Sequence, residues 1–229
     1  MAPTHIFING CSFLTIRLKD DIVTHAGLEL SKLMELDVAE NLAAGGRGNR
    51  RISFTTKVWC EKNPKLAKEC FFLIGITSGT RFDYPTKDNY KKYKFPSLDT
   101  AWKTFSLHRN YAETFFKVLH GFGMDIDQHI QIESLDTIID LQNFFQAKKY
   151  PYVMYKAISD TPIIAKDVKV LFDAIDKTRF FKPETSHYDY ILENKLVANM
   201  DDPHPSTEGH IKWATQLKEF IDANNLRTI

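Results

Sequence analysis

Hydrophobic residues along this chain alternate between short unbroken runs and longer stretches spaced at three and four. Thr4-His5-Ile6-Phe7-Ile8 is a short apolar run ending in Asn9-Gly10, the pattern of a buried strand entering a tight turn. Leu28, Leu30, Leu33 and Met34 then form the apolar face of an expected helix. Residues 38–43 predict a second short strand, closed by Gly45-Gly46-Arg47-Gly48-Asn49. Residues 50–63 read as helical, against the weak propensity of Ser53, Thr55, Thr56 and Val58. Residues 69–77 are the clearest strand in the chain. Their near-continuous apolar character is what a parallel strand covered on both faces requires.

From about residue 99 to 147 the spacing becomes helical. One apolar stripe contains Tyr111, Phe115, Val118 and Leu119; another contains Leu135, Ile138, Ile139, Leu141 and Phe145. Tyr152-Val153-Met154-Tyr155, after Pro151, reads as a fourth strand. A last helix is expected over 207–223, capped by Ser206, with Ile211, Ala214, Leu217 and Ile221 toward the core. Strands alternating with helices predict an α/β fold: a central parallel sheet between helices, with right-handed crossovers. No composition break divides the 229 residues, so one domain is expected. In such sheets ligands bind beyond the carboxyl ends of the strands.

Composition changes the picture only by exclusion. The net charge of +1 gives no electrostatic reason to expect nucleic acid or an anionic membrane as a partner. No apolar run approaches the roughly 20 residues that span a bilayer, and the N-terminus lacks a signal-peptide pattern. Three cysteines, Cys11, Cys60 and Cys70, suit a reducing compartment better than a disulfide framework. A cytoplasmic location is the expectation. Neither the histidines nor the cysteines show metal-ligand spacing, so no metal is expected.

Three loops after expected strands carry candidate chemistry. In Asn9-Gly10-Cys11-Ser12-Phe13 a hydroxyl sits where a strand hands over to a helical turn. The glycines of residues 44–49 let backbone amides approach a ligand. Thr77-Ser78-Gly79-Thr80-Arg81 follows the strongest strand, and Arg81 is a candidate for an anionic substrate group or a solvated surface charge. Cys11, beside the turn serine, is expected to pack inward as a small hydrophobe. Near the other end lies Asp201-Asp202-Pro203-His204-Pro205-Ser206. An Asp three residues ahead of a His on a proline-stiffened turn can bond one imidazole nitrogen and leave the other for a nucleophile.

Gly10-Cys11-Ser12-Phe13 resembles the first block of the SGNH (GDSL-like) hydrolases, and Asp201-x-x-His204 resembles their last block. The stretch through Pro205-Ser206, Gly209-His210 and Trp213-Ala214 extends the likeness, and in detail both ends resemble SGNH-like proteins encoded by bacteriophages. The resemblance covers the first 80 or so residues and the C-terminal end, not residues 85–195. It implies a flavodoxin-like three-layer sandwich, with residues 100–147 as an additional helical segment. It also implies an ester-cleaving serine hydrolase that needs no cofactor and acts on a small-molecule or glycan ester. Ser12 becomes the nucleophile, His204 its base and Asp201 the orienting carboxylate, with Asp202 as competitor. The N–H groups of Ser12 and of a loop glycine, Gly46 by preference, line the oxyanion hole. The family's third block normally supplies an Asn donor, but residues 76–81 contain none. Ser78, Thr77 or Asn49 are the candidate replacements. Two other readings remain open: a catalytically silent module of this fold that binds a glycan or protein surface, and a phosphate-handling protein using the glycine loop and Arg81.

Overall fold

A computed structural model of the protein describes residues 2–86, 101–106, 113–158 and 166–228. Its centre is a five-stranded sheet of β1 (His5–Asn9), β2 (Asp37–Asn41), β3 (Cys70–Ile76), β6 (Tyr152–Lys156) and β7 (Phe180–Ser186). The order is β2-β1-β3-β6-β7, and every neighbouring pair is parallel. Parallel neighbours cannot be joined by a hairpin, so each connection crosses a face of the sheet and covers it.

Side-chain alternation sorts the core into two halves. Ile6, Ile8, Phe71, Leu73, Val153 and Tyr155 face one side. There they pack on α1 (Ala26–Met34), α7 (His187–Glu193) and α8 (Thr207–Ala223). Phe7, Phe72, Ile74, Tyr152 and Met154 face the other. They meet α2 (Asn49–Lys62), α3 (Pro64–Ala67), α5 (Ile126–Lys148) and α6 (Lys166–Ala174). The result is the three-layer sandwich expected from the alternation. All seven residues of β3 are buried, which explains its unbroken apolar run.

Several expectations need correction. Residues 101–106 are not helical but form β5 (Ala101–Ser106), the antiparallel partner of β4 (Arg81–Thr86) in a separate two-stranded ribbon. Helix resumes with α4 (Glu113–Gly121) and then α5. In α4 the buried residue is Phe116, while Val118 is 51% exposed; Tyr111 lies outside the described residues. Leu33 and Ile211, both expected in the core, are 45% and 43% exposed. At 100° per residue, Ala26, Leu30 and Met34 share one face of α1, and His210, Trp213, Ala214, Leu217 and Ile221 share one face of α8.

The fifth strand, β7, has no signature in the apolar pattern. Only Phe180, Phe181 and Ser186 are buried, and Lys182 adopts a positive φ of 46°. Pro183 is tolerated because β7 lies at the edge of the sheet, where a missing N–H costs no ladder bond. The register with β6 shifts between Tyr155 and Lys156. None of the described helices is long and apolar enough to cross a membrane.

Candidate active site

The strand order reverses between β1 and β3, so the crevice beyond their carboxyl ends is where such sheets place a ligand. Ser12 lies there. β1 ends at Asn9, a fully buried residue whose amide bonds Ile52 O, Thr55 Oγ1 and Thr56 Oγ1 on α2 while its Oδ1 accepts the Gly10 N–H. Gly10 then passes against β3: a Cβ on it would stand 2.9 Å from the Gly75 carbonyl oxygen. The turned chain forms a 3-10 segment, Ser12–Leu14, with Phe13 and Leu14 buried. Its opening N–H groups have no carbonyl partner within so short a turn. Cys11 is buried in the core, as expected of a small hydrophobe.

His204 arrives from the other end of the chain. The segment before α8 is fixed by the bridge Val197–Pro205 and by the Ala198 N–H donating to the His204 carbonyl at 2.8 Å. Ser206 caps α8, accepting the Gly209 N–H at 3.1 Å. The imidazole packs on the Phe13 ring with centroids 5.2 Å apart. Its Nε2 is 2.9 Å from Ser12 Oγ. Its Nδ1 is 3.1 Å from Asp202 Oδ1 and 3.3 Å from the Asp202 carbonyl oxygen. Both partners of Nδ1 are acceptors, so Nδ1 carries the proton in the neutral ring. Nε2 is then the acceptor, and the Ser12 hydroxyl donates to it.

The carboxylate at the ring belongs to Asp202, not to Asp201. Asp201 is exposed, and its backbone N–H bonds Asn199 Oδ1. Asp202 is additionally gripped through Oδ2 by Arg17 Nη2 at 2.6 Å. Burial and the Arg17 charge hold the His204 pKa below its ordinary 6.5, while Asp202 opposes them. The ring therefore stays a neutral base to lower pH than a free imidazole.

The glycine loop lies against Ser12. The Ala44 N–H donates to the Gly10 carbonyl at 3.2 Å, and a Cβ on Gly45 would stand 3.9 Å from Ser12 Cβ. Gly46 has a φ of +76° with open space where a side chain would go, so glycine relieves backbone strain there. Gly48 has no such space: a Cβ would stand 2.3 Å from the Arg81 carbonyl oxygen.

The proposed replacements for the absent Asn are engaged elsewhere. Asn49 Nδ2 donates to the Thr77 carbonyl at 2.9 Å and Ser134 Oγ at 3.2 Å, and its Oδ1 accepts the Thr77 N–H at 2.8 Å. Asn49 is a staple between α2 and the end of β3. Ser78 Oγ pairs with Thr80 Oγ1 at 2.8 Å and accepts the Thr80 N–H. Thr77 Oγ1 accepts from Arg81 Nη1, which also reaches the Arg47 carbonyl at 3.3 Å. Arg81 thus ties the third loop to the second. Sequence reasoning missed Arg17, because nothing in the spacing of residues 17 and 202 links them. Among the described residues no three His, Cys, Asp or Glu side chains are gathered as a metal site would need.

No family model matches the chain, and no curated protein matches its sequence. Solved structures do match in overall layout. One is the psychrotrophic esterase EstA from Pseudoalteromonas, 11% identical, with a TM-score of 0.49 over 96% of this chain and 97% of that one. Another is a variant of an acetyl-xylooligosaccharide esterase from Geobacillus, 13% identical, with a TM-score of 0.49 over 96% of this chain and 94% of that one. Identity this low carries no residue role from those proteins to this one.

Proposed function

We propose that the chain is a serine hydrolase that cleaves esters, with Ser12 as nucleophile, His204 as general base and acid, and Asp202 as the orienting carboxylate. The observation that carries this reading is the 2.9 Å contact between Ser12 Oγ and His204 Nε2, made by a ring whose Nδ1 faces a carboxylate. Nucleophile, base and orienter within hydrogen-bond reach of one another are the working geometry of acyl transfer.

In the first half of the reaction His204 Nε2 takes the Ser12 proton as Oγ attacks the ester carbonyl. The tetrahedral oxyanion forms beside the N–H of Ser12 and a glycine N–H of the 44–48 loop, with Gly45 nearest the nucleophile and Gly46 next to it. The C–O bond to the alcohol then breaks, and the departing alkoxide takes the proton from Nε2. In the second half a water gives its proton to Nε2 and attacks the acyl-enzyme. Ser12 leaves and recovers that proton. Asp202 stabilises the imidazolium in both halves without being protonated itself. With Asn49 and Ser78 committed to other partners, the oxyanion hole rests on backbone donors. One missing donor costs about 10²- to 10³-fold in kcat, so turnover is expected to be modest. The substrate is an ester of a small molecule or a glycan, and water is the only co-reactant.

A fluorophosphonate probe should label the wild-type protein at Ser12, and Ser12→Ala should abolish both labelling and hydrolysis of acetyl esters. Absence of an adduct at saturating probe, with acetyl-ester turnover no higher in the wild type than in His204→Ala, would favour a silent binding module instead.

A further inference from the structure

Arg17 sits five residues after the nucleophile, in a turn closed on itself. Its N–H donates to the Ile22 carbonyl at 3.0 Å and its carbonyl accepts the Ile22 N–H at 3.2 Å. Asp21, inside the turn, takes a left-handed φ of 54°. The backbone of Arg17 is therefore held from both sides before its side chain does anything. The guanidinium is only 12% exposed and reaches two carboxylates through Nη2: Asp20 Oδ2 at 2.7 Å and Asp202 Oδ2 at 2.6 Å.

Asp202 is placed quite differently. Its side chain is 52% exposed, on a surface segment with an exposed Asp201 before it. A half-exposed carboxylate on such a segment gains rotamer freedom and hydration by turning to water. The two oxygens divide their work: Oδ1 faces His204 Nδ1 at 3.1 Å, and Oδ2 is held by Arg17. We propose that Arg17 is a positioning residue for this site, fixing the Asp202 carboxylate against His204 so that the ring keeps one tautomer and one orientation toward Ser12. The inference rests on the hydrolase reading above and deepens it. The loop after the nucleophile also clamps the acid contributed by the far end of the chain.

The groups that set the charge state of His204 come from three elements. Arg17 and Asp20 face it from the turn after the nucleophile, Asp202 from its own segment, and His210 from α8. After burial, the Arg17 charge disfavours the imidazolium, while Asp202, through its charge and its carbonyl, and Asp20 favour it. Removing the Arg17 charge therefore moves the titration of His204 to higher pH. That shift reports the charge alone; the positioning of Asp202 is read from kcat and from the double variant.

The test uses Arg17→Met, Arg17→Lys and Asp202→Asn, alone and with Arg17→Met added to Asp202→Asn. Steady-state ester hydrolysis is followed from pH 5 to 8, and the His204 imidazole is titrated by NMR. Arg17→Met is expected to lower kcat about 10- to 100-fold, the worth of one charge-assisted hydrogen bond, with KM little changed. Its acid limb and its His204 titration both move up in pH. Arg17→Lys restores the limb but only part of kcat, because the ammonium sits on a different, more flexible stem and does not reproduce the Nη2 position between Asp20 and Asp202. Adding Arg17→Met to Asp202→Asn costs little more than Asp202→Asn alone. Wild-type kcat in a folded Arg17→Met, or two losses that multiply in full, overturns the proposal. If the wild type shows no turnover, the hydrolase reading fails, and the NMR titration still decides whether Arg17 governs His204: an unshifted titration in Arg17→Met, or in Arg17→Lys should Met not fold, sinks the inference separately.

Discussion

Asn49→Ala separates a structural staple from a catalytic donor. The Asn49 side chain is 5% exposed and makes three hydrogen bonds, two of them to the backbone of Thr77, a fully buried residue at the end of β3. Alanine leaves the Thr77 N–H and carbonyl without these partners, and the third bond, to Ser134, goes with them. An unsatisfied buried polar group costs about 1–3 kcal/mol, so the two backbone groups together predict a loss of about 2–6 kcal/mol. That is a large part of the roughly 5–15 kcal/mol that holds an ordinary domain folded. For a chain of this size it corresponds to a fall in Tm of about 2–4 °C for each kcal/mol. Equilibrium urea unfolding, followed by the emission of the buried Trp59, Trp102 and Trp213, measures it directly. Ser134→Ala is the internal control. It removes only the longest of the three bonds and is expected to cost under about 1.5 kcal/mol. Because both amide hydrogens of Asn49 are spoken for, the folded Asn49→Ala variant should keep kcat within about tenfold of wild type. The opposite pattern refutes the reasoning: unchanged stability with a loss of about 10²- to 10³-fold in kcat would make Asn49 an oxyanion donor.

Two further outcomes are expected from the same geometry. Asp202→Asn should lower kcat by at least about tenfold, while Asp201→Asn leaves it near wild type; the reverse order in the ester assay would restore Asp201 as orienter. Burial pushes the pKa of His25 down to about 4 and of His210 to about 3, and holds that of the stacked, fully buried His187 well below 6.5. Below pH 6.5 the unfolded chain takes up protons that these rings refuse in the fold, so stability falls as pH drops from 6.5 toward 4. Each ring contributes about 1.4 kcal/mol per pH unit inside that window, and the three together predict a loss of about 3–6 kcal/mol between pH 7 and 5. A urea midpoint that holds or rises at pH 5 contradicts this.

The sheet was legible where its strands are buried on both faces. Residues 69–77 and 152–155 are continuous apolar runs because helices cover them from both sides. β7 was illegible for the complementary reason. An edge strand that buries little but Phe180, Phe181 and Ser186, and that tolerates Lys182-Pro183-Glu184, has no period to read. Residues 101–106 misled because Trp102 and Phe105, three apart, share a face on a helix but fall on opposite faces of a strand; ribbon pairing with β4, not the local spacing, decided it. Ile211 failed for a finer reason: His210, a polar residue, occupies the core position beside it, with Nδ1 accepting the Ala26 N–H at 3.2 Å.

The candidate site divides along the same line. Ser12 and His204, singled out by the resemblance of their two short blocks, lie 2.9 Å apart in the fold, each in a setting that one stretch of sequence defines: the end of a buried strand, and the proline-flanked turn before a capped helix. Features created by long-range contact were not readable. Asp201 and Asp202 are chemically identical neighbours, yet Arg17, 185 residues away, bonds Asp202 while Asp201 is exposed. The same holds for Asn49, whose amide looked free until Thr77 and Ser134 closed on it. Local sequence marked the two groups that meet at 2.9 Å. The carboxylate that stands behind them is the one bonded by a guanidinium from a distant turn, and no motif spacing encodes that.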